Sequence, residues 1–131
     1  MGKVNILAYG TLKKGCSRDA VQTLGAKYIG KTTIKNKILK ILNAGFPIMV
    51  DNEGTNVKAE VLSIDKEILP FLDQIEGVDK GLYSRETMYV YIKGNREQVI
   101  YYKWKYEVPV ISVGDTEEWK EEIVKGSGLN V

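Results

Sequence analysis

The chain contains no histidine. That absence removes His-based triads, His-x-x-x-His zinc sites and imidazole acid–base catalysis. Proton transfer in this protein must fall to Asp, Glu, Lys, Tyr or Cys. Cysteine is nearly absent too: Cys16 stands alone, so no internal disulfide can form. No excess of one charge exists, with 19 basic and 17 acidic residues giving a net +2. The longest basic cluster is Lys13-Lys14, far from the dense block of a dedicated nucleic-acid binder. Long apolar runs are missing as well. Phe46-Pro47-Ile48-Met49-Val50 falls well short of the roughly 20 apolar residues that span a bilayer. No signal-peptide pattern opens the chain, and Met1-Gly2 lacks the Ser or Thr at position six that myristoylation wants. These absences predict a cytoplasmic protein with neither a membrane nor a nucleic-acid partner.

What remains is an ordinary globular composition. Apolar residues make up 44% of the chain and charged ones 27%, which excludes intrinsic disorder. The 131 residues fit one domain, read as 1–131, without linker or repeat. Lys3 to Tyr9 reads as a buried strand ending at Gly10. A short helix is predicted from Ser17 or Arg18, carrying Ala20, Val21 and Leu24 and stopping at Gly25. Tyr28–Ile34 and Ile38–Leu42 read as two strands around a polar Lys35-Asn36-Lys37 turn. Ile48–Val50 and Val57–Ile64 read as two more, separated by a polar turn centred on Gly54.

Asp65 is a predicted N-cap, followed by Ile68, Leu69, Leu72 and Ile75 on one helical face, with Pro70 disturbing the first turn. Tyr83–Lys93 and Gln98–Tyr106 read as a hairpin through Gly94-Asn95. Asp115 to Glu118 spell a capping box before a helix carrying Trp119 and Ile123. Many short strands with two or three short helices indicate an α+β domain.

Four segments could carry chemistry. Gly10 to Ser17 nearly spells a phosphate-binding loop, but Cys16 occupies the position of the required lysine. The same loop reads equally as a turn after a strand, or as a nest of backbone N–H groups that holds a carboxylate. Cys16 has no histidine to activate it and reads as inert. Tyr102, Trp104 and Tyr106 share one strand face, opposite Tyr101, Lys103 and Lys105. That face is either a base-stacking platform or core. Leu72-Asp73-Gln74-Ile75-Glu76-Gly77 ends a helix, and Glu76, four after Leu72, falls on the apolar side. Burial and the negative end of a helix both disfavour its anion, raising its pKa. Such a Glu is either the general base of a protein without histidine or a solvated residue before a Gly stop.

Taken in order, these segments resemble the γ-glutamylcyclotransferase-like family, which includes γ-glutamylamine cyclotransferases and the plant avirulence-induced proteins. The likeness rests on Tyr9-Gly10-Thr11-Leu12-Lys13 with Gly15, Gly45 to Val50, Val57 to Ile64, Leu72 to Gly77, and Tyr83-Ser84-Arg85. It implies a small mixed β-barrel flanked by short helices. It implies an enzyme that cyclises a γ-glutamyl group to 5-oxoproline, releasing an amine or amino acid, with no metal or other cofactor. A non-catalytic module binding a related small ligand is the alternative. By that resemblance Glu76 is the general acid/base. Tyr9, Gly10, Thr11, Leu12, Tyr83 and Tyr106 are substrate neighbours, and Arg85 is either a site residue or an ion-pair partner. The chain departs from the family pattern at Ala59, often Gly, and at Cys16 to Asp19, where Asn-His is frequent.

Overall fold

The computed structural model describes residues 2–42, 46–105 and 112–120. Its strands are β1 (Lys3–Ala8), β2 (Lys27–Leu42), β3 (Pro47–Asp65), β4 (Tyr83–Ile92), β5 (Asn95–Trp104) and β6 (Ser112–Thr116). Its helices are α1 (Ala20–Thr23) and α2 (Leu69–Ile75), with 3-10 turns at Lys66–Ile68 and Val78–Lys80. The strands form one six-stranded sheet in the order β4-β5-β1-β3-β2-β6. β1 and β5 touch in parallel at Ile6 and Ile100, and the other pairs are antiparallel. The α+β class and the mixed sheet are as expected.

The sheet is not a closed barrel among the described residues, because its ladder leaves β4 and β6 as edges. It curls instead. Thr32 Oγ1 donates to the Tyr91 carbonyl at 2.7 Å, tying β2 to β4 through a side chain. Gly30 makes the approach possible: a Cβ there would lie 3.1 Å from Ile92 Cδ1.

Strand alternation divides the core. Leu7 and its partner Val61 face one cluster with Leu39 and Trp119. Ile6 and its partner Leu62 face the other, with Leu72 and Tyr102. A central strand with alternate residues buried on both sides is continuously apolar, which is why Ile6-Leu7-Ala8 carries no polar break.

Several predicted boundaries move. The two strands expected in 28–42 are one, as are the two expected in 48–64. Lys35 pairs with Asn56 and Lys37 with Asp51, so residues 52–55 stand opposite Asn36 alone. The polar residues make a bulge, with positive φ at Asn36 and Gly54, rather than turns. Helix α1 starts later than expected, capped by Asp19, whose carboxylate accepts from the Val21 and Gln22 N–H groups. Asp65 caps nothing with its side chain and pairs with Lys3 at 2.6 Å. The hairpin turn is Lys93-Gly94, both at positive φ. The capping box expected at Asp115 lies within and just after β6, and Trp119 and Lys120 are not helical. Ile123 lies outside the described residues. No helix among the described residues is long and apolar enough to cross a membrane.

Candidate functional site

Where β1 ends, the chain leaves the sheet as the loop 9–19, and beside it α2 ends and β4 begins. A cavity of about 420 Å³ opens between them. Tyr9, Gly10, Thr11 and Leu12 line it from the loop, Glu76 from the end of α2, and Tyr83 from the start of β4. The loop and, much later in the sequence, the end of α2 and the start of β4 thus bring six of the predicted site residues together. Tyr106 lies outside the described residues.

Glu76 owes its position to the way α2 stops. Its N–H donates to the Leu72 carbonyl at 3.0 Å, and Gly77 then takes φ +71°. Only glycine enters that region without cost, so the motif's glycine turns the chain immediately after the carboxylate. The Glu76 side chain is only 17% exposed. Burial raises its pKa from the ordinary carboxylate range, and the Arg18 guanidinium, 3.9 Å from Oε2, opposes the shift without cancelling it.

Tyr83 is pushed above the ordinary phenol range by burial and then by the Glu76 charge. It therefore stays protonated at neutral pH and keeps a hydroxyl to donate. Its ring sits edge-on to Trp104, with centroids 5.2 Å apart. Tyr9 is also raised, chiefly by burial, and its hydroxyl donates to the Tyr102 carbonyl at 2.8 Å. Tyr102 and Trp104 thus wall the cavity and the core beneath it, while Lys103 and Lys105 are exposed. For Tyr102 and Trp104 that is the core reading of the aromatic strand face; Tyr106, its third member, lies outside the described residues.

The loop is held from outside the cavity. Lys13 Nζ donates to the Trp119 carbonyl at 2.9 Å, the Lys14 N–H to Glu60 Oε1 at 2.9 Å, and the Gly15 N–H to Asp19 Oδ2 at 2.8 Å. Among the described residues the N–H groups of Thr11 and Leu12 donate to no such acceptor. Packing asks for glycine at position 10, since a Cβ there would lie 2.8 Å from Pro47 Cγ.

Two charged residues have roles that were not legible in the sequence, one in the cavity and one behind its wall. Arg18 reads in sequence only as a helix start, yet it lines the cavity beside Glu76. Asp73, rotated away from the apolar face of α2, accepts from the Tyr102 hydroxyl at 2.7 Å and pairs with Arg85 at 3.2 Å. Arg85 does not line the cavity, so the ion-pair reading of that residue holds. Its β-register partner is Tyr102, whose hydroxyl bonds the same Asp73 carboxylate.

The sequence matches the model of the family described as Gamma-glutamyl cyclotransferase, AIG2-like, over residues 6–121. The chain belongs to that family. A Methanocaldococcus jannaschii protein named "Putative gamma-glutamylcyclotransferase" is 26% identical over 121 residues, 88% of this chain and 97% of its own length. The crystal structure of an AIG2-like protein from Mus musculus superposes with a TM-score of 0.77 at 22% identity, over 92% of this chain and 90% of that one. At that identity the likeness is one of fold. The solution structure of protein ytfP from Escherichia coli gives a TM-score of 0.62 at 26% identity, covering 88% and 93%. In this member of the gamma-glutamyl cyclotransferase, AIG2-like family, four of the five segments that carried the resemblance contribute to the cavity, through Tyr9 to Leu12, Phe46 and Pro47, Ile75 and Glu76, and Tyr83; Val57 to Ile64 lies in β3 and does not line it.

Proposed function

We propose that the chain cyclises a γ-glutamyl group, forming 5-oxoproline and releasing an amine or amino acid. The observation that carries this reading is a buried carboxylate with a raised pKa, Glu76, in the cavity that also holds the glycine-containing loop. The α-ammonium of the substrate cannot attack until it loses a proton. Glu76 takes that proton, and the freed amine attacks the γ-carbonyl. Glu76 then protonates the leaving nitrogen as the carbon–nitrogen bond breaks, and the second proton, shed by the ring nitrogen as the lactam forms, passes to the released amine, which departs as an ammonium. Nucleophile and carbonyl belong to one molecule, so holding them close supplies much of the acceleration. The oxyanion needs donors, a role that suits the Tyr83 hydroxyl or the Thr11 and Leu12 N–H groups. The balance closes without water, metal or nucleotide.

A binding module for a γ-glutamyl ligand would use the same cavity. It would have no use for a carboxyl tuned toward neutrality, which favours the enzyme. The test is a panel of γ-glutamyl compounds assayed by mass spectrometry. The expected product is 5-oxoproline without solvent oxygen from a heavy-oxygen buffer in the first turnover. An N-acetylated analogue, whose nitrogen has lost its basicity, is expected to give none. Glutamate carrying solvent oxygen would mean that Glu76 activates water and that the reaction is hydrolysis.

A further inference from the structure

Helix α2 departs from the apolar face predicted for it. Leu69 and Leu72 are buried, but Phe71 is 54% exposed and Ile75 37%. Leu82, which precedes Tyr83, is 40% exposed. Large apolar side chains left partly in water and grouped together mark a binding surface. Ile75 and Leu82 also line the cavity, so they reach both its interior and the solvent. Phe71 stands one helical turn before Ile75 on the same face of α2, continuing the apolar rim outward.

This rim has a defined relation to the reaction. Ile75 and Leu82 are the immediate chain neighbours of Glu76 and Tyr83, the proposed base and hydroxyl donor. A leaving group that departs on the side of Glu76 and Tyr83 meets Ile75 and Leu82 at the mouth of the cavity. The glutamyl half of the substrate carries an ammonium and a carboxylate, and an apolar rim offers neither a partner. The rim suits only the other half, the substituent on the leaving nitrogen. Among the described residues the charged side chain that lines the cavity besides Glu76 is Arg18, half exposed and cationic. A second cation on the leaving group would meet like charge there.

On the cyclotransferase reading, from which this inference follows, we infer that Ile75, Leu82 and Phe71 determine specificity. The leaving group they select is a primary amine with an uncharged, apolar substituent, in preference to one that carries a distal ammonium.

The experiment uses γ-glutamyl amides of ethylamine, butylamine, pentylamine and hexylamine, with the amide of 1,5-diaminopentane as the cationic match to pentylamine. Release of 5-oxoproline is read as kcat/KM. Each added methylene is expected to raise it by about 2- to 4-fold, the range for partial to full burial of one CH2. The pentyl amide is expected to exceed its 5-amino counterpart by about tenfold or more. In the Ile75→Ala, Leu82→Ala double variant the slope against chain length is expected to flatten. Should that variant fold poorly, Phe71→Ala, at an exposed position, is read against the same series, and an unchanged slope in a folded variant would overturn the assignment. A rate independent of chain length, or equal rates for the pentyl and 5-aminopentyl amides, would overturn the assignment while leaving cyclisation standing. No 5-oxoproline from any member would overturn both.

Discussion

Glu76 is under opposed demands. Its folded pKa lies above the ordinary 4.5, because burial outweighs the attraction of Arg18. The unfolded chain exposes it and restores the ordinary value. Between the two pKa values the folded state binds more protons than the unfolded one, so stability falls as pH rises through that window. Above the folded pKa the whole penalty remains. Glu76→Gln keeps the volume and removes the charge. It is expected to melt above the wild type at pH 7, with the difference shrinking as pH falls from the raised folded pKa toward 4.5 and absent below it. Turnover is expected to drop by roughly 10²–10⁴ in the same variant. Thermal melts at two pH values and a rate assay check both halves. A Gln variant less stable than wild type at pH 7 would show that the Arg18 pairing outweighs burial. A folded variant with near-normal rate would remove Glu76 from the mechanism.

Elements hold such residues in place, and the loop 9–19 is the clearest case. Its own bonds are short-range: the Lys13 N–H to the Gly10 carbonyl, the Cys16 N–H to the Lys13 carbonyl, and the Arg18 N–H to the Thr11 carbonyl. The buried Lys13 ammonium ties it to the Trp119 carbonyl. Lys13→Met keeps the stem and removes that charged donor, so a loss of about 1.5–3 kcal/mol is expected. Amide exchange at Lys13, Lys14, Cys16 and Arg18, hydrogen-bonded amides of the loop, is expected to quicken, and KM to rise more than kcat falls. Unchanged exchange across the loop would mean that Lys13 merely fills space. Gly77→Ala tests the other side of the cavity. A left-handed φ of +71° and a Cβ only 2.9 Å from Leu82 Cδ1 both oppose the new methyl. A cost of at least about 1 kcal/mol is expected, together with a displaced Glu76 and lower turnover. Urea melts and a rate assay measure it.

The same elements show how far the sequence could be read. β1, α2 and the β4–β5 hairpin were legible because apolar period, proline position and a glycine turn agree there. Asn36 and Gly54 misled, because bulges and turns ask for the same residue types. Asp115 to Glu118 fit a capping box, but the pairing of Lys40 with Asp115 across β2 and β6 places the segment in the sheet. Local signals for a helix lost to a tertiary partner. At the site, motif order brought Glu76 and the loop together. Arg18 and the Tyr102–Asp73–Arg85 chain depend on contacts between distant strands and helices, which spacing does not encode.

On the scale of the whole molecule, a curled open sheet must still cover the core inside its curve. A late segment does this here. β6 pairs with β2, the Lys58 N–H donates to the Glu117 carbonyl at 2.7 Å, and Trp119 enters the cluster of Leu7, Tyr9 and Leu39 with no exposed surface. The segment thereby reaches the site by two routes, packing through Tyr9 and the Lys13 bond to its carbonyl. Its indole N–H is buried and finds no acceptor among the described residues, so the ring acts through volume rather than polarity. Trp119→Ala is expected to cost about 3–5 kcal/mol. For a domain of this size that corresponds to a fall in Tm of roughly 10–20 °C. Trp119→Phe is expected to cost far less, because it restores most of the apolar bulk and discards a donor that had no partner. Amide exchange in the 9–19 loop should follow the same order, faster in the Ala variant and near wild type in the Phe variant. Equal losses in the two variants would mean that the indole nitrogen matters after all. A Trp119→Ala protein that melts with the wild type would mean that the core inside the sheet is sealed by something else.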